Sequence, residues 1–91
     1  MQRVYTVILE RDPQAGYVVL VPALQGCVTQ GATMAEALHN AEEAAGLYVE
    51  DLIADGEPVP EDVPEVRVAL GMTPEAYVTR IAVAEEEFAV A

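Results

Sequence analysis

GYVVLVPALQGCVTQGATMAEALHNAEEA, residues 16–44, is the stretch that decides the fold. Its β-branched and aromatic run at 17–21 is typical of a strand, and Pro22 ends that run because proline has no N–H to donate to a sheet. Residues 27–30 form a second short segment of strand type. Residues 33–36 (TMAE) form a capping box, in which threonine and glutamate satisfy each other's free backbone N–H groups. This stretch therefore predicts strand, strand and helix in that order.

The predicted helix begins after Thr33 and runs to about Asp55, with Gly56 as a natural terminator. At 100° per residue, one side of it carries the apolar residues expected to face a core: Leu38, Ala41, Ala45, Tyr48, Val49 and Leu52. The opposite side carries the polar residues Glu36, His39, Asn40, Glu43, Glu50 and Asp51. Leu47 lies within this polar side, where its exposure has no folding benefit, so it hints at a contact with a partner.

Strands and connectors are also predicted outside this stretch. Residues 4–10 have strand composition, and the alternating prolines of 57–64 favour an extended connector. Residues 66–70 alternate as a further strand. Residues 73–75 (TPE) are typical of a helix start, whereas 77–83 are β-branched enough for a strand. We predict a strand over 77–83.

The charge balance is strongly acidic. The 91 residues contain sixteen Asp and Glu against four arginines, a formal net charge of −12. Such a surface repels phosphate, so direct nucleic-acid binding is not expected. It favours a cationic protein partner, whose approach it would accelerate. The alternative is that the acidic residues only keep a small domain in solution.

Few residues are suited to catalysis or metal binding. With one cysteine and one histidine, the chain cannot build a zinc site of the usual ligands or an internal disulfide. We expect Cys27 to be a buried structural thiol and His39 to be inert, and the first three strands hold one carboxylate, Glu10. The sequence thus predicts no enzyme, no catalytic residue, no metal and no cofactor. Without a signal peptide or a membrane-spanning run, the expected location is the cytoplasm.

Residues 16–44 resemble the N-terminal domain of HicB-like antitoxins, and the similarity extends over about residues 3–70. The shared pattern is a strand that ends in proline, then a leucine, a G-C segment, a glycine, a threonine, and a helix that opens with E-A and continues through asparagine to E-A. Here these positions are Pro22, Leu24, Gly26-Cys27, Gly31, Thr33, Glu36-Ala37, Asn40 and Glu43-Ala44. The segment 55–60 is similar to the family's D-G-x-x-x-P. The resemblance implies an α+β fold of β-β-β-α-β order, a partial ribonuclease-H-like fold with a small antiparallel sheet and one main helix on one face.

The resemblance also implies a partner, the basic mRNA-cleaving toxin HicA, which the chain would neutralise by covering it. We assign partner binding to Glu43, Leu47, Glu50 and Asp51. The alternative is a homo-oligomeric structural or regulatory protein without a toxin. Longer members carry a DNA-binding domain after the core. We predict a domain at 1–70 and an extension at 71–91, which has too few residues for such a domain, with an added strand and a tail.

The run at 17–21 is apolar on both faces, unlike a sheet with one side in water. We predict that one face packs against the helix and that the face of Tyr17, Val19 and Val21 binds a second copy, in a dimer or tetramer. The alternative is that this strand is central and half-covered by the C-terminal tail.

Overall fold

The structure, a computed structural model, describes residues 2–14, 16–65 and 76–84. Its elements are β1 (Gln2–Asp12), β2 (Gly16–Leu20), β3 (Val28–Gly31), α1 (Met34–Ala54) and β4 (Ala76–Ala84). The strands form one sheet in the order β3-β2-β1-β4, and every pairing is antiparallel. The helix packs against one face of this sheet. The predicted α+β fold of β-β-β-α-β order is confirmed.

The hairpin between β1 and β2 has the turn residues that it needs. Asp12 pairs with Gly16, and the Asp12 carboxylate accepts a hydrogen bond of 2.8 Å from the Gln14 N–H. Gly16 has a φ of 90°, in the left-handed region that favours glycine. This turn sets the register that places Leu9 opposite Val19.

The ends of α1 lie where the sequence predicts them. Thr33 is the N-cap, and its hydroxyl accepts a hydrogen bond of 3.1 Å from the Glu36 N–H. Asp55 is the C-cap, and Gly56 follows with a φ of 70°.

The side chains that α1 buries are smaller than predicted. It consists of the small residues Ala37, Ala41, Ala45 and Gly46 together with Val49. The larger predicted core residues Leu38, Tyr48 and Leu52 flank the stripe and are only partly buried. The physical reason is close approach: a Cβ added to Gly31 would lie 2.4 Å from the Ala37 nitrogen, so helix and β3 nearly touch.

The core lies between α1 and the inner face of the sheet. Tyr5, Val7 and Leu9 of β1 are fully buried there. Ile81 and Val83 of β4 extend the same layer, and further members are Val19, Val21, Leu24 and Cys27. Because side chains alternate along a strand, the even-numbered residues of β1 lie on the opposite face.

The connector after α1, residues 57–65, is attached to β1 by its polar groups. The Tyr5 hydroxyl donates to the Pro60 carbonyl at 2.6 Å. The Thr6 N–H and hydroxyl donate to the two carboxylate oxygens of Asp62 at 2.8 and 2.7 Å. Because β2 pairs only with Ile8–Asp12, these bonds satisfy polar groups in a part of β1 that β2 does not reach.

The predicted strand at 77–83 is confirmed and lies within β4. It pairs with β1 from Gln2↔Ala84 to Glu10↔Ala76. The strand predicted at 66–70 lies outside the described residues. The division of the chain at residue 70 stays a prediction.

Candidate protein-binding faces

The residues assigned to partner binding lie together on the outer side of α1. Glu43, Glu50 and Asp51 are exposed, and Leu47 has 62% of its surface accessible. Their spacing of three, four, seven and eight residues puts them on one side of the helix. We call these four residues the acidic helix face. Glu36 lies on the same side of the helix, seven residues and about 10 Å before Glu43.

Two long-range hydrogen bonds fix the helix, and with it the acidic helix face. The Asn40 side chain donates to the Gln30 carbonyl of β3 at 2.8 Å. The Tyr48 hydroxyl donates to the Gln25 carbonyl in the loop before β3 at 2.9 Å. The face is therefore presented on a helix tied to β3 at one level and to the loop before β3 at another.

His39 Nε2 lies 3.1 Å from Glu43 Oε1 on the same surface, and both side chains are about two-thirds exposed. An exposed pair of this kind contributes little stability. Its position matters more than its energy, because it places the single histidine beside the acidic helix face and not in a cleft.

A shallow depression borders the acidic helix face near the end of α1. It is lined by Tyr48, Asp51, Leu52 and Asp55. Its lining therefore combines two largely apolar side chains with two carboxylates. Lysine and arginine bury their aliphatic stems and keep their charged ends accessible, so the depression has the chemistry to hold such a side chain.

The residues predicted for self-association lie on the inner side of β2 and, for Val21, directly after it. Val19 and Val21 are 0% and 3% exposed and belong to the chain's own core, and Tyr17 is half-buried against it. They face α1, so a second copy cannot reach Val19 or Val21 in the folded chain. The open apolar face of the sheet is the other one, and the face assigned from sequence needs this correction.

The opposite face of the sheet carries an apolar row across all four strands. Val28 pairs with Leu20, Leu20 with Ile8, and Ile8 with Val78. Val28 and Val78, at the two ends of the row, are 55% and 54% exposed. We call this the outer sheet face. Sequence analysis missed it, although Val18 and Leu20 of the two-sided apolar strand were the available signal.

The polar groups at the edge of the outer sheet face are Thr6 and Asp62. Burial by itself would raise the pKa of Asp62, but the hydrogen bonds from Thr6 and from the Val63 N–H, together with the charge of Arg80, hold this pKa below its ordinary value. Asp62 is thus a charged anchor for the connector beside the apolar row.

Within residues 2–14, 16–65 and 76–84, no three His, Cys, Asp or Glu side chains are grouped as a metal ion would require. Cys27 is buried, as predicted, and burial raises the pKa of its thiol. The helix in the described part of the chain is not apolar enough over its length to cross a membrane.

Several solved structures have the same fold as this chain. An antitoxin-containing complex described as the toxin-antitoxin complex from Streptococcus pneumoniae has a chain that superposes with a TM-score of 0.77, at 22% identity, over 97% of this chain and 73% of that one. The N-terminal domain of Burkholderia pseudomallei antitoxin HicB superposes with a TM-score of 0.66, at 24% identity, over 89% and 98%. At these identities the likeness shows the fold.

Sequence relatives and a family model give the assignment. A UPF0150 protein of Synechocystis is 48% identical over 58 residues, which is 64% of this chain and 73% of that protein. A UPF0150 protein of Thermoplasma acidophilum is 52% identical over 58 residues, 64% and 84% of the two chains. The model of the HicB-like antitoxins of bacterial toxin-antitoxin systems matches residues 5–84. Because this match covers most of the chain and the fold agrees with it, the chain belongs to the HicB-like antitoxin family.

Proposed function

We propose that this chain neutralises a small basic RNA-cleaving toxin of the HicA type by covering it with the acidic helix face. The observation that carries the proposal is an exposed leucine, Leu47, among three carboxylates on a helix tied to the sheet. In this arrangement the carboxylates would steer a cationic partner, and the leucine would supply an apolar anchor for it.

Charge and apolar contact have separate tasks in this proposal. The net charge of −12 accelerates the approach of a basic protein and sets its orientation. Affinity comes from a few desolvated anchors, for which Leu47 and the depression beside Asp51 and Asp55 are the candidates. A lysine or arginine of the toxin would enter that depression.

Family membership and a related complex support a toxin as the partner. A structure described as the HicA3 and HicB3 toxin-antitoxin complex has a chain that superposes on 85% of this one with a TM-score of 0.63. We propose that binding and not catalysis is the activity here, that it takes place in the cytoplasm, and that the chain binds no nucleic acid directly. The acidic surface that attracts a basic toxin repels phosphate.

Where a small basic protein is encoded in the reading frame beside this gene, the test is rescue of growth when the two are co-expressed. Wild-type chain should restore growth, and the triple variant E43K/E50K/D51K should lose rescue and bind at least tenfold more weakly, because each added lysine repels a cationic partner.

The matched control is E57K/E61K/E65K, which changes the net charge equally in the exposed connector. It should keep most of the rescue. Equal loss of rescue in both variants would show that only the total charge matters. Unimpaired toxin binding by the helix variant would refute the acidic helix face as the toxin site.

The second candidate is a homo-oligomeric structural or regulatory protein without a toxin. The apolar row Val28, Leu20, Ile8 and Val78, whose two end residues are exposed, favours self-association. The neighbouring reading frame separates the two: a small basic protein with a single histidine supports neutralisation, whereas its absence supports the second candidate.

A further inference from the structure

We infer that the depression at the end of α1 binds one arginine side chain of the partner protein, with the guanidinium against the ring of Tyr48 and between the carboxylates of Asp51 and Asp55. This inference rests on the proposed function and names the side chain that this part of the helix selects. An arginine binds there in preference to a lysine.

The depression is built on one side of α1. Asp51, Leu52 and Asp55 follow Tyr48 by three, four and seven residues, so all four lie on the same side of the last two turns. Tyr48 and Leu52 are partly buried, whereas both aspartates are exposed. The volume of about 140 Å³ is below the roughly 300–1,000 Å³ of sites for small molecules. The depression therefore fits the end of one side chain.

The negative charge at this end of the helix is uncompensated within the chain. The last turn of α1 has no basic residue, although a cation there would offset the partial negative charge of the helix C-terminus. Asp51 and Asp55 add two like charges four residues apart, a spacing at which they repel each other. Among the described residues, neither carboxylate has an ion-pair partner. A bound cation would relieve both kinds of repulsion.

The cation that fits best is a guanidinium. A calcium ion takes about six to eight oxygen ligands, and the described part of the chain groups no three acidic, His or Cys side chains. A lysine supplies a charge but no flat surface. A guanidinium is planar, stacks on aromatic rings and donates to carboxylates through several N–H groups. The Tyr48 hydroxyl is bonded to the Gln25 carbonyl, so the ring is held in place before the arginine arrives.

Titration of the full chain with N-acetyl-arginine amide, followed by NMR, tests the depression without a partner protein. The backbone amide signals of residues 48–55 should shift and saturate at millimolar concentrations, and N-acetyl-lysine amide should bind about threefold more weakly. D51N/D55N should abolish this binding, whereas E57Q/E61Q, which removes the same charge from the exposed connector, should keep it. Equal affinity for the two amides, or equal loss of binding in the two variants, would overturn the inference.

Variants of Tyr48 separate stacking from folding. Tyr48→Phe keeps the ring and loses the bond to Gln25, so it should still prefer arginine amide. Tyr48→Leu removes the ring and should bind the two amides equally. A preference that survives Tyr48→Leu would refute the role of the ring.

The stability of the free chain tests the two carboxylates. D51N/D55N should raise the melting temperature by about 2 °C, because it removes a repulsion that no residue of the helix compensates. A lower melting temperature would show that the carboxylates stabilise the fold, and it would overturn their assignment to a ligand.

The inference and the proposed function can fail separately. Toxin neutralisation by a chain that does not bind arginine amide would refute the depression alone. Binding of arginine amide by a chain that neutralises no toxin would refute the proposed function alone. Where the basic protein is encoded beside the gene, Tyr48→Leu should weaken its binding by about tenfold. Unchanged binding would refute the assignment of the depression to that partner.

Discussion

The acidic helix face and the outer sheet face are both exposed, but they differ in almost every property that recognition uses. The first sets one leucine among carboxylates, whereas the second sets four apolar side chains in a row, with carboxylates and Arg80 around it. Long-range attraction acts on the first, and only short-range packing acts on the second. The comparison teaches that a strongly acidic chain can still keep one face with an apolar centre.

The largest expected effect is the difference in stability between substitutions on the inner and on the outer face of β2. Val19→Asp would place an unpaired charge in the core, and we expect it to cost more than about 4 kcal/mol and to unfold the chain. Val18→Asp, on the adjacent outward position, should cost about 1–2 kcal/mol, because the new carboxylate lies opposite Glu10. Urea unfolding of the two variants measures the difference. Similar costs would mean that the two faces have been assigned the wrong way round.

A smaller effect concerns Asp62, which anchors the connector beside the outer sheet face. Asp62→Asn should lower the free energy of unfolding by about 1–2 kcal/mol at pH 7, because the Thr6 donors lose a charged acceptor. Glu61→Gln, the exposed neighbour, is the control and should have almost no effect.

The pH dependence of this effect has a defined sign. Because the pKa of Asp62 is lowered in the folded chain, its stabilisation is fully present above the ordinary value of 3.8 and is lost as the pH falls through the folded pKa. The gap between wild type and Asp62→Asn should therefore close below pH 3.8. A gap of constant size down to the acid end would show that the charge of Asp62 is not the cause.

The smallest expected effect is a contrast in salt dependence. Raising NaCl from about 0.05 to 0.5 M shortens the Debye length to a few ångströms, which should slow toxin association severalfold and strengthen self-association severalfold. Stopped-flow mixing and sedimentation equilibrium measure the two. If both interactions respond in the same direction, the proposed division between a charged face and an apolar face is wrong.

Much of the fold could be predicted because its signals are local. The Thr33 cap, the Gly56 terminator and the β-branched runs act within a few residues, and each lies where the sequence places it. The buried stripe of α1 was predicted less well. Its inner line depends on how closely the helix approaches Gly31, and that distance follows from the packing of the whole sheet.

Of the two candidate faces, one could be predicted from the sequence and the other could not. Exposure of Leu47 followed from helical periodicity alone, because the position lies opposite the apolar stripe. The open face of the sheet could not be derived, since a strand that is apolar on both sides, such as 17–21, gives no sign of which side α1 covers. The register with Leu9 and the position of the helix settle that choice.

By itself, the sequence determined the acidic charge, the order of the elements, the ends of the helix and the family pattern, since these depend on composition and on neighbours along the chain. Only the tertiary structure decided that Val19 and Val21 are core residues, that Asp62 binds Thr6 across more than fifty residues, and that Val28, Leu20, Ile8 and Val78 form one row. Those relations join residues far apart in sequence, and only the pairing of strands and the packing of the helix bring them together.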